Sequence, residues 1–189
     1  ALAVVQPGEK EASTATPASV IMPVVMMGQI IFFAFQTGSF AMISLLQEDE
    51  EGTLPRLFTT PTRRTTILAG KFLAVFLAVV AQGLVLLIAG GLLFRADWGE
   101  PGSVALALVG QVFAATGLGV LLISLVKTTR QAGPVQGGVL TALGMLSGLF
   151  TVNVPMPAGF RVLAQFTPQG RTMAVWRLAI QGSSPAEML

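Results

Sequence analysis

FLAVFLAVVAQGLVLLIAGGLLF, residues 72–94, runs between Lys71 and Arg95 without a charge. At about 1.5 Å per residue, roughly 20 helical residues cross the ~30 Å of hydrocarbon in a bilayer, and a spanning helix is expected over 68–94. Outward from this stretch, three similar gaps separate Glu11 from Glu48, Glu100 from Lys127, and Arg130 from Arg161. They predict spans near 20–46, 103–126 and 133–152. The runs are continuous in Leu, Val, Ala and Phe and do not alternate as barrel strands do. Composition agrees, with 53% hydrophobic and 11% charged residues, where a soluble domain carries roughly 25% charged residues. The expected fold is an all-α, polytopic membrane bundle with about four spanning helices.

Several function classes drop out. The chain has no Cys and no His, which removes thiol nucleophiles, disulfides, structural zinc sites and the usual imidazole base. No catalytic residue and no metal site is expected. Lys and Arg are spread along the chain without a basic block, so nucleic acid is not expected as a partner. No ionisable residue falls in the middle of a span, which argues against a proton- or ion-coupled carrier. A G-x-x-x-x-G-K-[ST] loop is absent too, since Gly70-Lys71 leads into Phe72 and a span; nucleotide must bind elsewhere. The first residues, 1–18, lack a basic segment followed by an apolar core and read as the remnant of a polar loop from something longer.

The breaks between spans differ in character. Residues 95–102, RADWGEPG, form a tight turn with Trp98 placed as a headgroup-level interface anchor. KTTRQAG, 127–133, is a short basic turn, and 153–182 is Pro-rich and then amphipathic, too polar to cross freely. Orientation from basic residues is a near tie. Arg56, Arg63, Arg64, Lys71, Lys127 and Arg130 lie on one side, Lys10, Arg95, Arg161, Arg171 and Arg177 on the other. Treating the segment after residue 152 as packed structure tips the count and puts the 47–66 loop in the cytoplasm.

That loop, QEDEEGTLPRLFTTPTRRTT, says most. Thr53 suits a helix cap and Pro55 a first turn, with Glu48, Asp49, Glu50 and Glu51 on the side that the dipole favours. A short helix from about Leu54 to Thr59 would place Leu54, Leu57 and Phe58 on one apolar face. Thr60 and Pro61 repeat the cap-and-proline signal ahead of the second span, and Lys71 is positioned to snorkel to the interface. By itself this pattern fits either an interfacial anchor or a docking helix for a cytoplasmic partner.

Within the spans, Gly133, Gly137, Thr141, Gly144 and Gly148 recur every three or four residues, as Gly110, Ala114 and Gly117 do more weakly, and would let another backbone approach, within the subunit or from a second one. Gln29, Gln36, Gln82, Gln111 and Gln136 are costly in hydrocarbon unless paired and should point inward. Gln29 and Gln36 share a face and suit either interhelical hydrogen bonds or a translocation path.

Glu48, Gly52, Thr53, Leu54, Leu57, Thr60 and Pro61, followed by Ile67, Leu68, Gly70 and Lys71, resemble the coupling segment of ABC-2 type permeases, the membrane subunits of ATP-binding-cassette exporters. Phe166, Thr167, Pro168 and Trp176 are similar to the region before that family's last span. The resemblance runs from about residue 20 to the end and implies a transmembrane domain over 19–189, multi-pass in the cell membrane of a prokaryote. It further implies a cytoplasmic coupling helix, for which Glu48, Glu51, Gly52, Thr53, Leu54, Leu57, Phe58, Thr60, Pro61, Arg63 and Arg64 are the candidates, and an extracytoplasmic re-entrant segment over 153–182. The partners implied are an ATP-binding protein, which would carry ATP and Mg while this chain binds no cofactor, a second permease subunit, and membrane lipid. The family has six spans per subunit, which leaves the first and last outside this chain. An ATPase-independent transporter or channel, and a membrane scaffold, are the competing readings.

Overall fold

The computed structural model describes residues 17–53, 56, 63–150 and 158–180. Among them lie six helices and no strand. In chain order these are α1 (Pro17–Glu50), α2 (Arg64–Phe94), α3 (Pro101–Ser124), α4 (Thr129–Leu146), α5 (Ala158–Phe166) and α6 (Pro168–Ile180). The all-helical class follows from the absence of solvent in hydrocarbon, where a helix satisfies every backbone group within one segment.

Three helices are long and apolar enough to cross a membrane: α1 from Pro23, α2 from Thr65, and α3. The fourth expected span is a helix as well, but a different one from that drawn over 133–152. It begins at Thr129 and stops at Leu146, about 27 Å at 1.5 Å per residue. Arg130, Gln131 and Gln136 make it the most polar of the four, and it does not reach the apolarity of the other three. Gly148, in the left-handed region at φ +73°, turns the chain beyond its end. The first helix also runs past its expected limit of residue 46, because Gln47–Glu50 stay helical until Gly52, at φ +69°.

α1 is the centre of the bundle. Met27, Ile30, Ile31, Ala34 and Phe35 are all buried, and α1 packs on α2, α3, α4 and α6. It crosses α3 closely, where a Cβ built on Gly119 would stand 2.7 Å from the Gly38 carbonyl oxygen. Only a residue without a Cβ fits there, since apolar atoms pack best at about 3.5–4.0 Å. α3 turns Ser103, Ala107, Gln111, Ala115 and Gly119 inward, a stripe with a spacing of four. Of the small residues singled out from sequence on this helix, Ala114 packs against the core, while Gly110 and Gly117 face open space. α2 is peripheral, and its Leu73, Leu77, Leu84, Val85, Ile88 and Leu92 are exposed on the outside, as lipid-facing positions are.

α5 and α6 form a hairpin about Thr167, with α6 packed on α3, α1 and α4, and α5 exposed along most of its length. Its turn lies against α4: Thr167 Oγ1 and Ser147 Oγ share a hydrogen bond of 2.7 Å, and Gln169 Nε2 donates to the Leu140 carbonyl at 3.2 Å. From there α6 climbs along α3 until Trp176 meets Trp98, ring centroids 6.4 Å apart and planes at 72°.

Candidate functional site

α1 finishes in Glu48, Asp49 and Glu50, followed by Glu51. A helix C-terminus carries a partial negative charge, so this is the wrong end for acids. Cations and donors from two other helices offset it. Lys71 Nζ on α2 pairs with Glu48 Oε1 at 2.5 Å. On α4, Thr129 donates its backbone N–H to Glu50 Oε1 at 2.9 Å and its hydroxyl to Glu50 Oε2 at 2.5 Å. Thr53 turns its hydroxyl back onto the Glu48 carbonyl at 2.9 Å, and Gln47 Nε2 donates to Glu51 Oε1 at 3.0 Å. Lys71 is thus held in an ion pair and only about a quarter exposed, with 27% of its side chain accessible.

Of the other coupling candidates, Leu54, Leu57, Phe58, Thr60 and Pro61 lie outside the described residues. Arg63 is exposed and precedes α2 in extended conformation, φ −65° and ψ 137°, and Arg64 opens the helix. Above this end an apolar cavity of about 750 Å³ opens between α1, α2 and α3, lined by Met42, Leu45, Leu68, Phe72, Leu73 and Val120 with Lys71 at its edge.

In the core, the amide pattern resolves residue by residue. Gln111 bridges three elements: its Nε2 donates to the Ile30 carbonyl at 3.2 Å, and its Oε1 accepts the Trp176 indole N–H at 2.5 Å. Gln111 and Trp176 are both fully buried. Gln136 is also fully buried, but neither atom of its amide has a partner among the described residues. Gln29 and Gln36 are half-buried on α1, and Gln36 Oε1 is buried without a partner, as is Gln82 Oε1 on α2.

The glycine positions of α4 separate. A Cβ on Gly144 would meet Phe150, the Gln169 amide and Phe32 at 3.2–3.4 Å, and one on Gly137 would meet Phe40 at 3.7 Å. Gly133 has nothing within 4 Å, Thr141 is exposed, and Gly148 lies past the helix end. The face of α4 that is buried in this chain runs instead through Ala132, Gln136, Leu140 and Gly144. The Trp98 indole folds back, half-buried, and donates to the Leu87 carbonyl at 3.1 Å.

Two features escaped sequence reading. Glu50 was one acid in a run, with nothing local to mark Thr129 as its partner. The Gly38–Gly119 crossing could have been sought, because Ala107, Ala115 and Gly119 are small residues spaced by four and eight around Gln111.

A family profile described as ABC-2 family transporter protein matches residues 9–189. The chain belongs to the ABC-2 family of transporter proteins. Its long apolar helices make it a membrane protein, and within that family it is a permease component. Among curated proteins it is similar to the linearmycin resistance permease protein LnrN of Bacillus subtilis (strain 168), 27% identical over 147 residues. The alignment covers 78% of this chain but 38% of LnrN, so the chain spans well under half the length of that relative. No solved structure matches it.

Proposed function

We propose that this chain is the core of the membrane subunit of an ATP-driven exporter. An ATP-binding-cassette protein docks on the 47–66 loop and supplies, with its own ATP and Mg, the work that this chain has no residues to generate. Family membership over residues 9–189 is the observation that carries the reading. The inner ends of α1 and α2, which frame the loop, support it: the Lys71–Glu48 pair binds them together, so a push on the loop acts on both helices at once.

The coupling helix is assigned to Leu54–Thr59, with Leu57 and Phe58 as the apolar face that the partner grips. Two permease subunits pair in the cell membrane, and the open space beside Gly133 and the exposed Thr141 favour α4 as a face for the second copy. The cargo is assigned to amphiphiles. A relative named for linearmycin resistance suggests export of a harmful small molecule, and the substrate would pass along the Gln29 and Gln36 face of α1.

The test uses the complete transporter with its ATP-binding partner in inverted vesicles. Leu57→Glu and Phe58→Glu should insert normally and hydrolyse ATP, yet lose ATP-dependent uptake of an amphiphilic dye. Uptake without ATP in the unaltered protein would refute the exporter reading, and uptake that survives both substitutions would refute the assigned coupling helix.

A further inference from the structure

The contact between Glu50 and Thr129 connects two helix ends 79 positions apart in sequence, and it is built in an unexpected way. Thr129 opens α4, and its N–H is one of the first four that a helix leaves without an internal partner. Thr128 precedes it, with φ −138° and ψ 146°, in the place where a hydroxyl normally caps a helix, but makes no side-chain cap bond. Threonine at that position is among the favoured caps, so local chemistry alone could have done the work. Glu50 does it from α1, engaging both of its oxygens on one residue. A capped helix start is available locally; what the longer-range contact adds is a bond between the last turn of α1 and the first turn of α4.

The far end of α4 is likewise held by polar contacts. Leu140 accepts from Gln169, and Ser147 bonds Thr167, which fastens α4 to the turn of the α5–α6 hairpin. Between its two fastened ends α4 lies along α1, and there the buried Gln136 amide has no partner among the described residues. Sliding α4 against α1 therefore breaks no hydrogen bond of Gln136, while the end contacts carry the displacement.

We infer that Glu50 is the positioning residue through which movement of the 47–66 loop reaches α4 and, by way of α4, the re-entrant hairpin. The inference rests on the reading that the loop receives work from an ATP-binding partner. It adds the route: loop, last turn of α1, Glu50, Thr129, α4, Leu140 and Ser147, hairpin.

The experiment separates a mechanical link from a simple helix cap. This chain contains no cysteine, so Val109→Cys on α3 and Val162→Cys on α5, both at exposed positions, take nitroxide labels in the complete transporter once any cysteine elsewhere is replaced. Pulsed electron resonance then measures the α3–α5 distance in liposomes, without nucleotide and after hydrolysis of ATP in the presence of vanadate, which traps ADP. The Glu50→Ala variant is expected to lose most of the ATP-dependent shift and to need about fivefold more ATP per molecule exported, the lower range for a coupling between distant sites. Combining it with Thr128→Asp restores a strong local cap. The pair should regain the thermal midpoint of the parent without regaining the shift. Thr129→Val, which removes the hydroxyl alone, is the milder variant and should reduce the shift in part.

A full shift in Glu50→Ala/Thr128→Asp reduces Glu50 to a cap and overturns the inference. If the unsubstituted protein shows neither an ATP-dependent shift nor ATP-dependent export, the exporter reading fails and the route fails with it.

Discussion

Substituting Gln111 by Leu removes a side chain that bonds α3 to both α1 and α6, and the cost can be worked from the two contacts. The first, from Trp176 at 2.5 Å, joins two fully buried groups; the second, to Ile30 at 3.2 Å, is longer. Interhelical hydrogen bonds in bilayers average about 0.6 kcal/mol and reach about 1.7. The short bond belongs in the upper half of that range, at about 1–1.5 kcal/mol. Leu also leaves the indole N–H buried and unpaired, which costs about 1–3 kcal/mol. A total loss of about 2–4.5 kcal/mol is expected for Gln111→Leu. The assay is a double-mutant cycle of Gln111→Leu, Trp176→Phe and their combination in the intact protein, unfolded with dodecyl sulfate in bicelles. Trp98, the second of the two tryptophans, remains as the fluorescent reporter. The double variant should be more stable than the sum of the single effects by about 1 kcal/mol. Additivity to within about 0.3 kcal/mol would mean that the bond is not made in the membrane, and the placement of α6 against α3 would then be wrong.

Gly119→Ala sets a methyl group 2.7 Å from the Gly38 carbonyl oxygen; it should force α1 and α3 apart and cost about 1–3 kcal/mol of stability, while Gly110→Ala, with open space around it, should cost less than about 0.5 kcal/mol. Lys71→Glu puts a second carboxylate beside Glu48 and should lower the thermal midpoint of detergent-solubilised protein, and exchanging the two charges through Glu48→Lys as well should restore most of the loss, which for a partly exposed pair is about 1 kcal/mol. Cysteine placed at Arg63 should react with a membrane-impermeant maleimide in inverted vesicles and stay unlabelled in intact cells; labelling from outside would put the 47–66 loop on the wrong face for a nucleotide-driven partner.

The spans were legible because charge is excluded from hydrocarbon residue by residue. Arg95 marks the end of α2 to within a residue, and Lys71 lies about two turns inside its start at Arg64, with no knowledge of its neighbours. α4 was less legible. Its helix takes in Thr129–Gln131, which looked like loop because they are polar, and that start is stabilised by Glu50 on another helix. The amides show the same division. That Gln111 must point inward follows from its cost in lipid; that it bridges Ile30 and Trp176, while Gln136 has no partner among the described residues, does not.

The sequence by itself determined a polytopic helical membrane protein, the approximate extent of its long apolar helices and the polar loop that interrupts them. All of this depends on the free energy of one segment in lipid or water. Only the tertiary structure decided which faces meet: Gly38 on Gly119, Glu50 on Thr129, Trp176 on Gln111 and Trp98. In a soluble helix the apolar stripe marks the core, but lipid is as apolar as the interior, so α1, α2 and α3 carry apolar residues on every side. Which side is inward is settled by close backbone approach and by pairing of polar groups, and both are properties of two helices together.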